Sequence, residues 1–196
     1  MEWLTTSTIL QDLSDYANRA AWERFSRRFR PPILRFARKL GLSEADAEDA
    51  AQEALAAFAA AYREGQYDRS KGRLSRWLFG IAYRQVLGVR RADGRRAQLA
   101  QQAERNSFWA DVPDENTSSR VWDEEWEQAL LEQCLDRVRQ EVEPRTMRAF
   151  ELVMQPDRKP ADVAQELGVP IKAVYNAKYT VLKRVRELRA ALEDLE

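Results

Sequence analysis

The chain has 196 residues, no histidine and a single cysteine, and its 32 basic side chains balance its 32 acidic ones. Lack of histidine removes the commonest metal ligand and the commonest general base, and Cys134 alone closes neither an internal disulfide nor a zinc site. No apolar run is long enough to cross a bilayer, and Met1-Glu-Trp-Leu-Thr-Thr-Ser-Thr8 lacks the basic start and apolar core of a signal peptide. The expectation is a cytoplasmic protein without membrane insertion. There is no phosphate-cradling Gly-rich loop and no G-x-S-x-G elbow. Neither an enzyme nor a metal or cofactor site is therefore expected.

Glycine and proline are scarce, with seven of each, and apolar residues recur at helical spacing along the chain. This pattern predicts an all-α fold. The first helix is expected over 15–30, with Trp22, Phe25 and Phe29 on one face; Pro31-Pro32 should kink or restart it, since proline lacks an N–H donor. The pattern resumes over 33–40 and stops at Gly41. Ser43 then caps a helix reaching about residue 62, with Asp46 completing a short capping box. Its apolar stripe is alanine-rich (Ala47, Ala50, Ala51, Ala54, Leu55, Phe58, Tyr62). Asp49, Gln52 and Glu53 share another surface at i, i+3 and i+4, which by itself is what a merely solvated face looks like.

Glu64-Gly-Gln-Tyr-Asp-Arg-Ser-Lys-Gly72 reads as a loop, followed by a helix over 73–91 with Leu74, Trp77, Leu78, Ile81, Ala82, Val86 and Val89 inward. Arginines and aromatics around a loop supply what a single-strand binder needs, stacking surfaces plus phosphate contacts. Trp77 is expected to be at least half buried in any case. Periodicity fades after residue 95, and Asp111-Val-Pro-Asp-Glu-Asn-Thr-Ser-Ser119 reads as a linker. It returns at Val121, with Trp122, Trp126, Ala129, Leu130, Cys134 and Val138 spaced for one face, and Cys134 a buried thiol.

Charge follows the same divisions. Residues 1–96 hold 18 basic and 12 acidic side chains, residues 97–143 hold 4 and 12, and residues 144–196 hold 10 and 8. Two basic ends around an acidic middle suggest a polyanion partner and a masking segment. The organisation expected is two small helical domains, 1–96 and 121–196, joined by an acidic linker over 97–120.

After a short helix over 146–154, Pro160 opens the most informative stretch. Ala164 is small where two helices must pass closely, Gly168 suits a left-handed stop, Pro170 suits the start of the next helix, and Val174 faces back into the angle. This is helix-turn-helix spacing, whose second helix enters a major groove, although an ordinary helical hairpin shares it. Lys172, Tyr175, Asn176, Lys178 and Tyr179 lie off the apolar stripe of that second helix. Asparagine can pair with adenine and lysine can reach guanine, while tyrosine and lysine also serve phosphates.

Four segments in this order resemble bacterial sigma factors of the extracytoplasmic-function group. Asp46-Ala-Glu-Asp-Ala-Ala-Gln-Glu53 is similar to the helix such factors lay on the coiled coil of the RNA polymerase β′ subunit. Tyr67-Asp-Arg-Ser-Lys-Gly-Arg-Leu-Ser-Arg-Trp-Leu-Phe-Gly-Ile-Ala82 is similar to the loop and helix that melt and read the −10 element. Glu143-Pro-Arg-Thr-Met-Arg-Ala-Phe150 resembles the opening of the second conserved region, and Glu166-Leu-Gly-Val-Pro-Ile-Lys-Ala-Val-Tyr-Asn-Ala-Lys178 the helix-turn-helix that reads the −35 element.

The resemblance implies a non-catalytic factor that brings core RNA polymerase (β′ and β subunits) to promoter DNA and assists melting. It implies polymerase binding by Asp49, Gln52 and Glu53. It implies −10 contacts from Tyr67, Arg69, Lys71, Arg73, Arg76 and Arg84, and −35 contacts from Lys172, Tyr175, Asn176, Lys178 and Tyr179. An anti-sigma factor or a Ser/Thr kinase is the kind of regulator it implies. Arg84 stands where the family often has asparagine, Gly88 where it has an acidic residue, and Tyr175 and Ala177 where lysine and arginine are common, so neither promoter word is legible by analogy. Two alternatives remain at this point. A stand-alone helix-turn-helix regulator would bind duplex DNA without polymerase, and a helical scaffold would bind no nucleic acid in any assembly.

Overall fold

The computed structural model describes residues 11–13, 15, 18–100 and 115–193, apart from the side chains of 69, 93–100 and 193. Every regular element among the described residues is helical: α1 (Arg19–Lys39), α2 (Glu44–Arg63), a 3-10 turn (Arg69–Lys71), α3 (Leu74–Ala100), α4 (Glu115–Glu141), α5 (Pro144–Val153), α6 (Pro160–Leu167) and α7 (Ile171–Glu193). The chain divides into two compact units, one built on Thr6–Ala129 and the other on Leu130–Leu195. Residues of α4 as far as Ala129 belong to the first and the remainder to the second.

In the first unit α1 begins at Arg19, where the Asn18 side chain accepts a hydrogen bond from the Ala21 N–H at 3.0 Å. The helix does not restart at Pro31-Pro32: α1 runs through both prolines to Lys39. Two backbone donors are lost, but proline's fixed φ is helical, and burial of Phe29, Pro32, Ile33 and Phe36 holds the helix in one piece. It ends where Gly41 takes φ +87, with the Gly41 N–H on the Arg38 carbonyl and the Leu42 N–H on that of Ala37.

Helix α2 starts as the capping pattern predicts, Ser43 Oγ accepting from the Asp46 N–H at 3.1 Å. It buries Ala47, Ala50, Ala51, Ala54, Phe58 and Ala59. Small side chains let helices approach closely, and aromatic rings fill the remaining space. Phe25 stacks on Phe58 with centroids 4.4 Å apart, and Phe58 meets Trp77 of α3 at 4.9 Å.

Helix α4 begins at Glu115, inside the stretch whose composition reads as linker. Its opening turns are held by packing rather than by propensity. Trp122 is 1% exposed, with its ring 5.4 Å from Phe36, 6.0 Å from Phe79 and 5.7 Å from Trp126. Trp126 in turn stacks on Phe29 at 5.6 Å. Between the two tryptophans Glu125 is driven inside, its side chain 2% exposed, and both carboxylate oxygens are engaged: Arg35 Nε at 2.8 Å and Lys39 Nζ at 2.6 Å. Hydrogen bonding to that carboxylate holds the Lys39 ammonium above its ordinary pKa.

The second unit is aliphatic inside. Leu130, Cys134, Val138, Met147, Leu152, Val163, Val174, Val181, Leu188 and Leu192 are buried, with Phe150 the one aromatic residue among the buried core side chains described there. Cys134 is a buried free thiol. Arg184 of α7 is fastened to Glu141 of α4 at 2.7 Å, and Glu141 also accepts from Arg137 at 2.6 Å. The Arg184 hydrogen bond, then that of Arg137, holds the Glu141 carboxyl below the ordinary carboxylate range.

Candidate nucleic-acid and partner interfaces

Three surfaces carry the residues singled out by the sequence. The first is the outer side of α2. Its alanine-rich face is buried, which turns Asp49, Gln52 and Glu53 outward, and all three are exposed. None of these side chains has an ion pair or hydrogen bond among the described residues, whereas their neighbours are taken: Glu48 pairs with Arg30, and Glu44 lies 3.9 Å from Arg38. The helix therefore presents one acidic-amide patch that its own unit leaves unused.

The second surface is the loop before α3 and the start of that helix. Asp68 organises the loop by accepting from the Ser70 N–H at 2.9 Å and the Ser70 hydroxyl at 2.7 Å, and these bonds hold its carboxyl below the ordinary range. Lys71 lies 3.6 Å from the same carboxylate and is 82% exposed. Tyr67 is half-buried, its ring 5.1 Å from Trp77, so it extends the aromatic ladder that runs inward through Phe58. Trp77 is mostly buried. Arg73 is exposed, and Arg84 is exposed with its Nε on the Gly80 carbonyl at 2.8 Å. The Arg69 side chain lies outside the described residues.

Arg76 differs from the rest. Its guanidinium lies 4.8 Å over the Phe79 ring, donates to the Ser119 hydroxyl and sits 3.7 Å from Glu115. The opening of α4 thus engages a residue the sequence assigned to DNA.

The third surface is the helix-turn-helix. Gly168 adopts φ 60, ψ 42, the left-handed stop expected of it, and the Val169 N–H closes on the Ala164 carbonyl at 3.0 Å. Val163, Ala164 and Val174 pack with Leu152 and Val153 in the angle between the helices. That packing turns Lys172, Tyr175, Asn176, Lys178 and Tyr179 outward, and all are exposed. Sequence reasoning missed Arg145, which donates to the Leu167 carbonyl at 2.9 Å and so fastens the start of α5 to the end of α6. Its signal was an arginine two residues into the Glu143-Pro-Arg-Thr segment, without any indication of its target. Among the described residues no cluster of His, Cys, Asp or Glu is arranged to hold a metal, and no helix is long and apolar enough to cross a membrane.

A family model described as Sigma-70 region 2 matches residues 25–96, the span that carries the first two surfaces. The chain is also 26% identical over 181 residues to the ECF RNA polymerase sigma factor RpoE of Cereibacter sphaeroides, covering 91% of this chain and 92% of that one. Both comparisons support a sigma factor, and the second supports one of the extracytoplasmic-function group. The likeness to the relative extends across nearly the whole length, so it takes in the helix-turn-helix as well as the region matched by the family model.

Proposed function

We propose that this sigma factor, which directs core RNA polymerase to promoters, divides that task among its three surfaces. Asp49, Gln52 and Glu53 engage the polymerase. Tyr67, Arg69, Lys71, Arg73, Arg76 and Arg84 engage the −10 element and its separated strand, and Lys172, Tyr175, Asn176, Lys178 and Tyr179 engage the −35 duplex. The family acts without catalysis of its own, and its place of work is that of the polymerase, the cytoplasm. Base capture costs a few kcal/mol of unstacking, offset by ring stacking and charge contacts.

The observation that carries the docking assignment is the unused acidic-amide patch on α2, whose acidic neighbours Glu44 and Glu48 are paired within the unit. The test is Gln52→Ala combined with Glu53→Lys. Both sites are exposed, so circular dichroism and thermal midpoint should stay unchanged while co-purification with core enzyme is lost. Normal co-purification would refute the assignment.

A control element accompanies this reading. Glu115 and Ser119 hold Arg76, so the opening of α4 competes with −10 DNA for that guanidinium. Glu115→Gln with Ser119→Ala should strengthen holoenzyme binding to a single-stranded −10 oligonucleotide, and Arg76→Ala should erase the gain. An anti-sigma factor or a Ser/Thr kinase would regulate by covering or charging one of the same surfaces.

A further inference from the structure

The outward side of α7 has an unusual composition for a surface. Ile171 is 45% exposed, Tyr175 55% and Tyr179 65%, and they follow one another at i, i+4 and i+8. Neither tyrosine ring meets another aromatic ring among the described residues. Around them stand exposed Lys172, Asn176, Lys178 and Thr180, and no arginine, glutamine, aspartate or glutamate occurs between Ile171 and Lys183. Arg184, the next cation along, is fastened to Glu141 and Glu187. An apolar stripe edged by lysines suits a polyanion that itself carries apolar groups.

Duplex DNA offers one such group in the major groove, the C5 methyl of thymine. The chemistry of this face is selective by what it lacks. It has no guanidinium to fork onto guanine, which leaves only the point charges of Lys172 and Lys178 to reach one, and no carboxylate to accept from the cytosine amine. It does have a carboxamide, Asn176, of the kind that pairs with both N6 and N7 of adenine. Tyr175 adjoins Asn176 in sequence and lies one turn from Ile171, within the first two turns, the part of a recognition helix that reaches base edges.

Resting on the −35 assignment above, we propose that the upstream element read by this factor is built on adjacent A·T pairs: Asn176 takes an adenine, and Ile171 and Tyr175 close over neighbouring thymine methyls. Lys172 and Lys178 hold the flanking phosphates, and Tyr179 extends the apolar contact by one turn.

Replacing thymine by deoxyuridine removes the methyl and nothing else, which makes the proposal directly measurable. Holoenzyme assembled from the full chain and core polymerase is first used to select duplexes with a randomised upstream element, and each thymine of the selected word is then replaced in turn. The word should contain adjacent A·T pairs, and deoxyuridine should weaken binding about fourfold at one or two positions, the effect of one buried methyl group. Tyr175→Phe should keep that sensitivity, Tyr175→Ala should abolish it at one position, and Asn176→Ala should relax the choice of adenine. A selected word of G·C pairs, or indifference to deoxyuridine at every thymine, overturns the proposal. If Lys172→Ala and Asn176→Ala still weaken promoter binding in that case, the −35 assignment survives and only the methyl reading falls. If no substitution between Ile171 and Tyr179 alters binding, both fall together.

Discussion

The two units treat their aromatic residues in opposite ways. In the first, Phe25, Phe29, Phe36, Phe58, Phe79, Trp122 and Trp126 are interior and interlocked. In the second, the buried side chains are almost all aliphatic, and Tyr175 and Tyr179 stand outside on a helix edged by lysines. Both units pair cations with their own carboxylates, Arg24, Arg30, Arg35, Lys39 and Arg76 in the first and Arg137, Arg139, Arg158 and Arg184 in the second, but Lys172 and Lys178 beside the exposed tyrosines have no partner among the described residues. The contrast teaches that one residue type serves as mortar or as probe according to whether its own unit satisfies it.

The sharpest way to break the comparison is to remove the mortar. Trp122→Ala should destabilise the first unit by about 3–5 kcal/mol, the usual cost of deleting a buried tryptophan, seen as a lowered urea midpoint. A change no larger than that of Leu131→Ala, at a half-exposed position, would show that the opening of α4 contributes nothing to that core. Glu125→Gln comes next. It leaves Arg35 and Lys39 facing a neutral group, and the midpoint should fall by roughly 1–3 kcal/mol.

On the probe side, Gly168→Ala forces a Cβ into φ 60 and should cost about 1–2 kcal/mol; upstream-element binding should weaken while attachment to polymerase persists. The smallest effect concerns acid. Hydrogen bonds from Arg184 and Arg137 depress the Glu141 carboxyl, so the stability it adds is complete above its ordinary pKa of 4.5 and drains away as pH falls below it. Glu141→Gln should therefore narrow the gap in thermal midpoint between pH 6 and pH 3. An unaltered gap would remove Glu141 from the account of acid sensitivity.

Helix-turn-helix geometry was legible because one backbone conformation, the left-handed stop at Gly168, demands one residue type, and because Ala164 and Val174 mark the inside of the angle. The outward placement of Asp49, Gln52 and Glu53 was equally legible, since an alanine-rich stripe fixes which side faces in. The start of α4 was not. Glu115-Asn-Thr-Ser-Ser119 has poor helix propensity, and what makes it helical is long-range: Ser118 is buried, and Trp122 finds Phe36 and Phe79. Nor could spacing reveal that Arg76 faces Glu115, or that Arg145 reaches Leu167, because both depend on which elements meet. At Pro31-Pro32 a local rule pointed to a kink or a restart, and burial of the surrounding stripe keeps the helix continuous.

The enclosure of Glu125 determines how the molecule answers to ionic strength. Dissolved ions screen exposed charges over roughly 10 Å at 0.1 M but reach an enclosed pair poorly, and only 2% of this carboxylate meets solvent. A rising electrolyte concentration should release Lys172 and Lys178 from nucleic acid well before it loosens Arg35 from Glu125, so the factor can be rinsed from its template while its first unit stays folded.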